Sequence, residues 1–146
     1  MNSRTLALIV LALFLSACEN EKQPTQPSNA KLAGTIWQLM RIDSVGGHSS
    51  SPSQADTILL RFDSERNVSG ASPGICGNTY FGVYSLDSNS SIKFDSLGTT
   101  KIYCPSSLYW SFFTLLSKAE SFQQTSNGMQ FYCVHDSVTL VLRLVQ

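Results

Sequence analysis

Charge is scarce in this chain of 146 residues, in which only 14% of the side chains are charged, 10 basic and 10 acidic. A nucleic-acid-binding protein needs a basic surplus to displace the counterions of the phosphate backbone, so this balance argues against such a function. The hydrophobic content of 42% is sufficient for a packed core. The length fits one domain and leaves little room for a second.

Residues that could carry chemistry are also few. The chain has two histidines, His48 and His135, and it contains no His-Glu-x-x-His string and no glycine-rich phosphate loop. Cys133 and His135 stand at strand spacing, which would point both side chains the same way, as a Cys-His couple requires. An ordinary strand also explains this spacing, and it is the interpretation that we prefer. We assign no catalytic residue and no cofactor, and we expect no enzymatic activity.

The chain lacks an apolar run long enough to cross a membrane. Its longest, Leu6 to Leu15, has ten residues and as a helix would span about 15 Å of a ~30 Å hydrocarbon core. Arg4 precedes the run and small residues follow it, which is typical of a signal peptide over residues 1–17. The string Leu15-Ser16-Ala17-Cys18 resembles the bacterial lipobox, which implies cleavage before Cys18 and acylation of that cysteine. The alternative is an ordinary signal peptide followed by an incidental cysteine.

Residues 18–30 are interpreted as the lipidated cysteine and a flexible tether, because Glu19 to Ala30 contains two prolines and no hydrophobic residue except its last alanine. Such a tether has an r.m.s. reach of roughly 20 Å. Several acyl chains on one cysteine would hold the protein stably at a membrane. Aspartate after the cysteine marks retention in the inner membrane, so the glutamate found here favours the outer membrane. The sequence does not distinguish its periplasmic face from its surface face.

From Lys31 onward, short runs of β-branched and aromatic residues alternate with Ser, Gly, Asn and Asp, which predicts a mainly antiparallel β domain over residues 31–146. The first strand, Thr35 to Ile42, has Trp37 and Leu39 on one face and Ile36, Met40 and Ile42 on the other, so we expect burial on both sides. The segment Asp43 to Asp56 is expected to be a loop. Further strands are expected at Thr57–Phe62, Val68–Ser69, Thr79–Ser85 and Ile92–Leu97 and, beside an Asn127-Gly128 hairpin turn, at Met129–Cys133 and Val138–Leu144.

One segment has a helical period instead. Ser107 to Ala119 places its apolar residues on one broad face. Ser106 or Ser107 can cap this helix, although no acidic residue stands three positions later to complete a capping box. We expect the amphipathic helix to cover one end or face of the sheet, with its aromatic side chains in the core.

The ordered motifs resemble one family. They include Leu32-x-Gly34-Thr35-x-Trp37-x-Leu39, Cys76-Gly77-Asn78-x-Tyr80-x-Gly82-x-Tyr84 and Thr99-Thr100-x-x-x-Cys104. They are similar to the META domain of HslJ-like bacterial envelope lipoproteins, with Gly77 as an extra residue in the central motif. The resemblance implies a compact, barrel-like antiparallel sheet with one amphipathic helix packed on it. It also implies an envelope or stress-related role, and no reaction, substrate or cofactor.

Three cysteines remain once Cys18 is acylated, and an oxidising compartment permits them to pair. Three thiols allow three single bridges and leave one thiol over. The resemblance favours the Cys76–Cys104 bridge, because both residues lie in matching motifs. Cys133 alternates with apolar residues and is expected to be a buried thiol. With His135 the three thiols form a Cys₃His set by residue type, but no Cys-x-x-Cys pair is present and we expect no metal.

Tyr80 and Tyr84 flank Gly82 on one face of a predicted strand. A glycine in a strand often lets another group approach the backbone closely. That group is either a neighbouring side chain of the core or a bound ligand, in which case Tyr80, Gly82 and Tyr84 form a pocket wall.

The sequence therefore indicates a non-enzymatic, monomeric lipoprotein, held at the outer membrane by its lipid anchor and contacting an unidentified envelope protein. The alternative is a carrier, in which a small barrel holds a lipid or other amphiphile in an apolar cavity between sheet and helix. A well-packed interior would favour the interaction module.

Overall fold

The structure is a computed structural model that describes residues 31–74, 76–87 and 90–145. The expected signal peptide, the expected lipidated Cys18 and the expected tether lie outside the described residues. The described chain folds into nine strands and one helix in the order β1 (Thr35–Ser44), β2 (His48–Ser50), β3 (Leu59–Phe62), β4 (Asn67–Ala71), β5 (Thr79–Leu86), β6 (Ile92–Thr99), α1 (Ser107–Leu116), β7 (Ala119–Gln124), β8 (Gly128–Cys133) and β9 (Val138–Leu144).

All strand pairs are antiparallel, and eight strands follow one another in the order β6-β5-β4-β3-β1-β9-β8-β7, with β2 paired to β1. The two outermost strands come together at a single bridge between Ser91 and Ser121. Beside it, the Phe122 N–H donates to the Ser90 carbonyl at 2.9 Å. The sheet thus curls into a nearly closed barrel with one helix, which confirms the expected mainly β, barrel-like fold.

β1 departs from the expected pattern. Trp37 and Leu39 are buried as predicted, but Met40 is exposed and Ile42 lies in the core. The expectation that Met40 and Ile42 share a second buried face is wrong. The register of β1 against β9 shifts between Leu39 and Arg41, so one extra residue in β1 reverses the alternation and turns Ile42 inward.

The other strands supply one continuous core. Ile58, Leu60 and Phe62 are buried from one side of the sheet, and Met129, Phe131 and Cys133 from the other. Aromatic rings join the two sides, because Phe94 packs edge-on against Phe131 with centroids 5.6 Å apart. Such perpendicular ring pairs contribute beyond the area they bury.

α1 closes one end of the barrel. Ser106 caps it by accepting a hydrogen bond from the Tyr109 N–H at 3.2 Å, and Tyr109, Phe112 and Leu116 are buried. The helix ends at Leu116 rather than at the expected Ala119, which is the first residue of β7. Within the part of the chain that is described, no helix has the length and apolarity needed to span a membrane.

One predicted loop differs from expectation, and one predicted hairpin forms. The predicted loop Asp43–Asp56 contains β2, which folds back on β1 through Gly46 and Gly47. Both glycines have positive φ, 96° and 82°, which side-chain-bearing residues adopt only at a cost. The Asn127-Gly128 hairpin forms, but its turn is closed by the Thr125 N–H donating to the Gly128 carbonyl at 2.8 Å, without a left-handed residue.

Candidate functional site

Three loops meet at the N-terminus of α1, and we call their meeting point the junction: Asp56, Cys76, Asn78, Cys104 and Ser106. A disulfide joins Cys76 to Cys104, which are 28 residues apart. This is the pair that the family resemblance favours. The bridge ties the loop before β5 to the segment that leads into α1.

Asn78 holds the same segment by its side chain. The Asn78 Oδ1 accepts the Ile102 N–H at 2.9 Å, and the Asn78 Nδ2 donates to the Ile102 carbonyl at 3.0 Å. Thr100 also donates its hydroxyl to the Asn78 Oδ1 at 3.0 Å. The carboxamide is fully buried and satisfied by these bonds, as a buried polar group must be. It fixes the backbone at residues 100–102, just beyond the end of β6.

Asp56 supplies the negative charge that the first turn of α1 lacks. No acidic residue stands in that turn. Ser106, the capping residue, donates its hydroxyl to the Asp56 Oδ2 at 2.6 Å, and Asp56 is buried. A carboxylate at a helix N-terminus is stabilised by the helix dipole. Asp56 lies 50 residues before its partner, so no local pattern in the sequence identifies it.

Tyr80 and Tyr84 are core residues rather than a pocket wall. The Tyr80 hydroxyl donates to the Leu59 carbonyl, and the Tyr84 hydroxyl donates to the Ser64 carbonyl at 2.9 Å. Burial raises the pKa of both phenols, that of Tyr80 most strongly. Only 1% of Tyr80 and 3% of Tyr84 is exposed.

Gly82 and Gly70 are each closely covered by a side chain of the core. A Cβ built on Gly82 would lie 2.6 Å from the Leu97 Cδ2, so the space over Gly82 is filled by Leu97 and not by a ligand. The pocket-wall interpretation of Tyr80, Gly82 and Tyr84 is corrected accordingly. Gly70 has a similar role in β4, because a Cβ there would overlap the ring of Tyr80. The tyrosine crosses over β4 at this glycine and reaches β3.

Cys133 and His135 do not form a couple. Cys133 is fully buried, and burial raises its pKa to about 12, so it is a neutral thiol at physiological pH. β8 ends at Cys133, and Val134, His135 and Asp136 all have positive φ. This turn directs the His135 side chain into solvent, where it is 93% exposed. The Cys₃His set fails for the same reason, and because the disulfide uses two of its thiols.

One string with catalytic spacing was missed at the level of sequence. Gly70-Ala71-Ser72-Pro73-Gly74 matches the Gly-x-Ser-x-Gly pattern, in which serine stands exposed on a turn between a strand and a helix. Here Ser72 follows a strand, but no helix comes next and its side chain is fully buried. Its hydroxyl has no hydrogen-bond partner in the structure. The context therefore does not fit a nucleophile.

An open groove of about 630 Å³ lies where the barrel seam ends, lined by Ser91, Ile92, Lys93, Ser117, Lys118, Ala119, Glu120, Val134 and His135. Two of its charged side chains already interact with other residues of the protein. Lys93 forms an ion pair with Asp95 at 2.8 Å, and the Glu120 carboxylate accepts the His135 N–H at 3.3 Å. The described residues contain no group of three or more metal-ligating side chains. The groove thus presents no convergent set for a cofactor or metal.

Three exposed apolar residues lie close in the chain to the junction residues Cys104 and Ser106, and we call Ile102, Tyr103 and Trp110 the aromatic face. Their exposed fractions are 54%, 85% and 37%. Two of these residues are fixed by hydrogen bonds. The Ile102 N–H donates to the Asn78 Oδ1, and the Trp110 Nε1 donates to the Cys104 carbonyl at 3.3 Å. The arrangement can present rigid, apolar side chains to a partner or a surface.

Comparison with known proteins agrees with this fold. The family model of the META domain matches residues 30–145. The chain belongs to the META domain family. No protein in the curated comparison matches the chain significantly.

Solved structures share the architecture of this META domain. The NMR structure of a protein from Burkholderia xenovorans has 23% sequence identity, with 79% of this chain and 84% of that chain covered and a TM-score of 0.64. The crystal structure of a DUF4847 family protein from Bacteroides vulgatus has 15% identity, with 77% and 94% covered and a TM-score of 0.56. At these identities the likeness shows the fold alone.

Proposed function

We propose that this META domain protein is a non-enzymatic lipoprotein of the bacterial outer membrane and an interaction or stress-related module of the cell envelope. The acylated Cys18 anchors a monomer at the bilayer, and an envelope protein is its partner. The observation that carries the proposal is the string Leu15-Ser16-Ala17-Cys18 directly after an apolar run of ten residues.

The Cys76–Cys104 disulfide supports the exported location. Disulfides persist in oxidising compartments such as the periplasm and the cell surface, and they are rare in the cytosol. The disulfide lies at the junction, where it shares the positioning of α1 with the Asn78 and Asp56 hydrogen bonds. The domain end that carries α1 is therefore built for a compartment in which thiols oxidise.

The rigidity of the junction supports a binding role. The aromatic face has its backbone fixed by a disulfide and by buried hydrogen bonds. A preorganised surface loses little conformational entropy when it binds, so more of the contact free energy contributes to affinity. Tyrosine and tryptophan are also the residues that most often carry binding energy at interfaces.

A carrier of a lipid or small amphiphile is the alternative, and it needs an apolar cavity between α1 and the sheet. Tyr80 contacts Phe112 and Phe113 of α1 across that space, with ring centroids 6.1 and 6.0 Å apart. No observation among the described residues favours the carrier. Mass spectrometry of lipids extracted from the purified protein tests it, because a carrier would retain a stoichiometric lipid beyond the acyl chains on Cys18.

Metabolic labelling with radioactive palmitate tests the proposed anchor. We expect label in the wild-type protein and none in Cys18→Ser, and we expect the wild type alone to fractionate with the outer membrane. Ser28→Ala, a change of similar size in the tether, is the matched control and should behave as wild type. If Cys18→Ser were labelled and fractionated like the wild type, the lipoprotein proposal would be wrong.

A further inference from the structure

The aromatic face stands in an unusually acid-free part of the chain. Residues 96–119 contain no aspartate or glutamate, and their charged residues are Lys101 and Lys118. Neither lysine has an ion pair among the described residues. The exposed side chains of α1 beside Trp110 are uncharged, Ser107, Ser111 and Thr114. Lys118 lines the groove at the barrel seam beside Glu120, so Lys101 is the positive charge next to the aromatic face. The buried Asp56 carboxylate at the junction accepts a hydrogen bond from Ser106.

This composition matches the headgroup region of a bilayer. Tryptophan and tyrosine are enriched there because each has an apolar ring and a polar atom that remains hydrated. Lysines beside them are attracted to anionic lipid headgroups, whereas carboxylates would be repelled. Tyr103 is 85% exposed and its neighbour Ile102 is 54% exposed, so both side chains are free to enter such a region.

The tether limits how far this end of the domain can be from lipid. Twelve residues separate Cys18 from Lys31, with an r.m.s. reach of roughly 20 Å. A domain of this size has a radius of gyration of roughly 13–14 Å. Any face of the tethered domain can therefore turn to the bilayer. The face whose contact with lipid lowers the free energy most will be the one found at the bilayer.

We propose that the aromatic face is a second membrane contact, in which Ile102, Tyr103 and Trp110 enter the headgroup region of the bilayer that holds the anchor. The inference rests on the proposed lipid anchor. It goes beyond the anchor by giving the tethered domain a fixed orientation, with α1 and the junction towards the lipid. A protein partner on the same face is the competing occupant, and the experiment distinguishes the two.

Trp110 reports on this contact directly. The only other tryptophan, Trp37, is fully buried in the barrel, where its indole N–H donates to Thr35 at 2.7 Å. The full-length acylated protein is reconstituted with vesicles of phosphatidylethanolamine and phosphatidylglycerol, and with identical vesicles whose acyl chains carry bromine. Flotation measures association with the vesicles, and tryptophan emission measures quenching by the bromine. We expect most of the emission that Trp110→Phe removes to be quenched by the brominated lipid.

Two variants test whether the face itself makes the contact. Ile102→Ser combined with Tyr103→Ser should reduce the quenching of Trp110 while the protein still floats with the vesicles. Phe81→Ser is the matched control, because Phe81 is 62% exposed on the outer side of β5. It should leave the quenching unchanged. Trp37 emission and circular dichroism verify that each variant is folded.

The readouts separate the two proposals. Vesicle association without quenching of Trp110 would overturn the membrane contact and leave the anchor in place. Failure of the acylated protein to float would refute both. If Trp110 were shielded from iodide in native envelopes but not in vesicles of pure lipid, the occupant would be a protein and the lipid contact would be wrong.

Discussion

Gly70 offers the sharpest test of how the barrel is packed. A Cβ on Gly70 would overlap the ring of Tyr80 and the carbonyl oxygen of Leu59. The clash lies inside the barrel, and the Leu59 oxygen is a backbone atom that cannot move aside as a side chain can. Gly70→Ala must therefore expel the Tyr80 ring or separate β3 from β4. In the first case the Tyr80 hydroxyl also loses its bond to the Leu59 carbonyl.

The expected cost follows from these two effects. Overpacking a core costs about 1–3 kcal/mol, and leaving a buried hydrogen-bonding group without its partner costs about 1–3 kcal/mol. We expect Gly70→Ala to lower the free energy of unfolding by about 2–6 kcal/mol, a large share of a typical total of about 5–15 kcal/mol. For a domain of this size the loss corresponds to roughly 4 °C in Tm for each kcal/mol.

Urea unfolding followed by circular dichroism measures the effect, with Gly98→Ala as the matched control. A Cβ on Gly98 would lie 3.2 Å from the Phe81 Cζ, but Phe81 is largely exposed and its ring can move aside. Gly98→Ala should therefore change the free energy of unfolding by no more than about 0.5–1 kcal/mol. If Gly70→Ala and Gly98→Ala lowered the free energy of unfolding by the same amount, the packing argument would be wrong.

A double-mutant cycle identifies the partner. In a Tyr80→Leu background the ring is gone, so Gly70→Ala should cost less than in the wild type by about 1–3 kcal/mol. The remaining contact with Leu59 keeps the cost above zero. Strict additivity would mean that the tyrosine ring is not what the glycine accommodates.

Three other predictions concern the junction and the free thiol. Asp56→Asn should lower the free energy of unfolding by about 1–2 kcal/mol because the helix N-terminus loses its charge; urea unfolding measures it, and no change would exclude that role. The double variant Cys76→Ala/Cys104→Ala should have a free energy of unfolding about 3.5 kcal/mol lower than the wild type on the chain-entropy model. Thiol labelling of the unfolded, unreduced, acylated wild type should find one reactive cysteine rather than three. Folding raises the pKa of Cys133 from 9.0 to about 12. Above pH 9 the thiol is therefore deprotonated in the unfolded chain but not in the folded one, and the free energy of unfolding should fall as the pH rises towards 12. Chemical denaturation at pH 8–11 measures this, and the free energy of unfolding of a Cys133→Ala protein should fall less steeply over that range.

Local alternation in the sequence predicted much of the sheet. Ile58, Leu60 and Phe62 follow the period of a half-buried strand, and the structure buries all three. The reversal at Ile42 could not be predicted in this way, because the extra residue in β1 is defined by its pairing with β9, in which Arg41 is the partner of Val141. A bulge is a property of two strands, and one strand's sequence does not show it.

The same limit applies to the junction. The family motif contains Cys76, Asn78 and Cys104, so the resemblance could indicate the disulfide. The carboxamide of Asn78 bonds to residues 22 and 24 positions away, and Asp56 bonds 50 positions away. Neither role leaves a periodic signal. The exposure of His135 could not be predicted from the sequence either. It results from three successive left-handed residues, none of them glycine, and side-chain-bearing residues rarely adopt that conformation.

The turn between β8 and β9 has a consequence for the order of folding. Val134, His135 and Asp136 form one left-handed turn that such residues avoid in an isolated peptide. Neighbouring segments hold it from both sides, because the Val134 N–H donates to the Lys118 carbonyl and the Ser137 carbonyl accepts the Val45 N–H. The connection between β8 and β9 therefore does not favour formation of this hairpin in isolation. We therefore expect this turn to reach its final shape only after the segments around Lys118 and Val45 have assembled beside it.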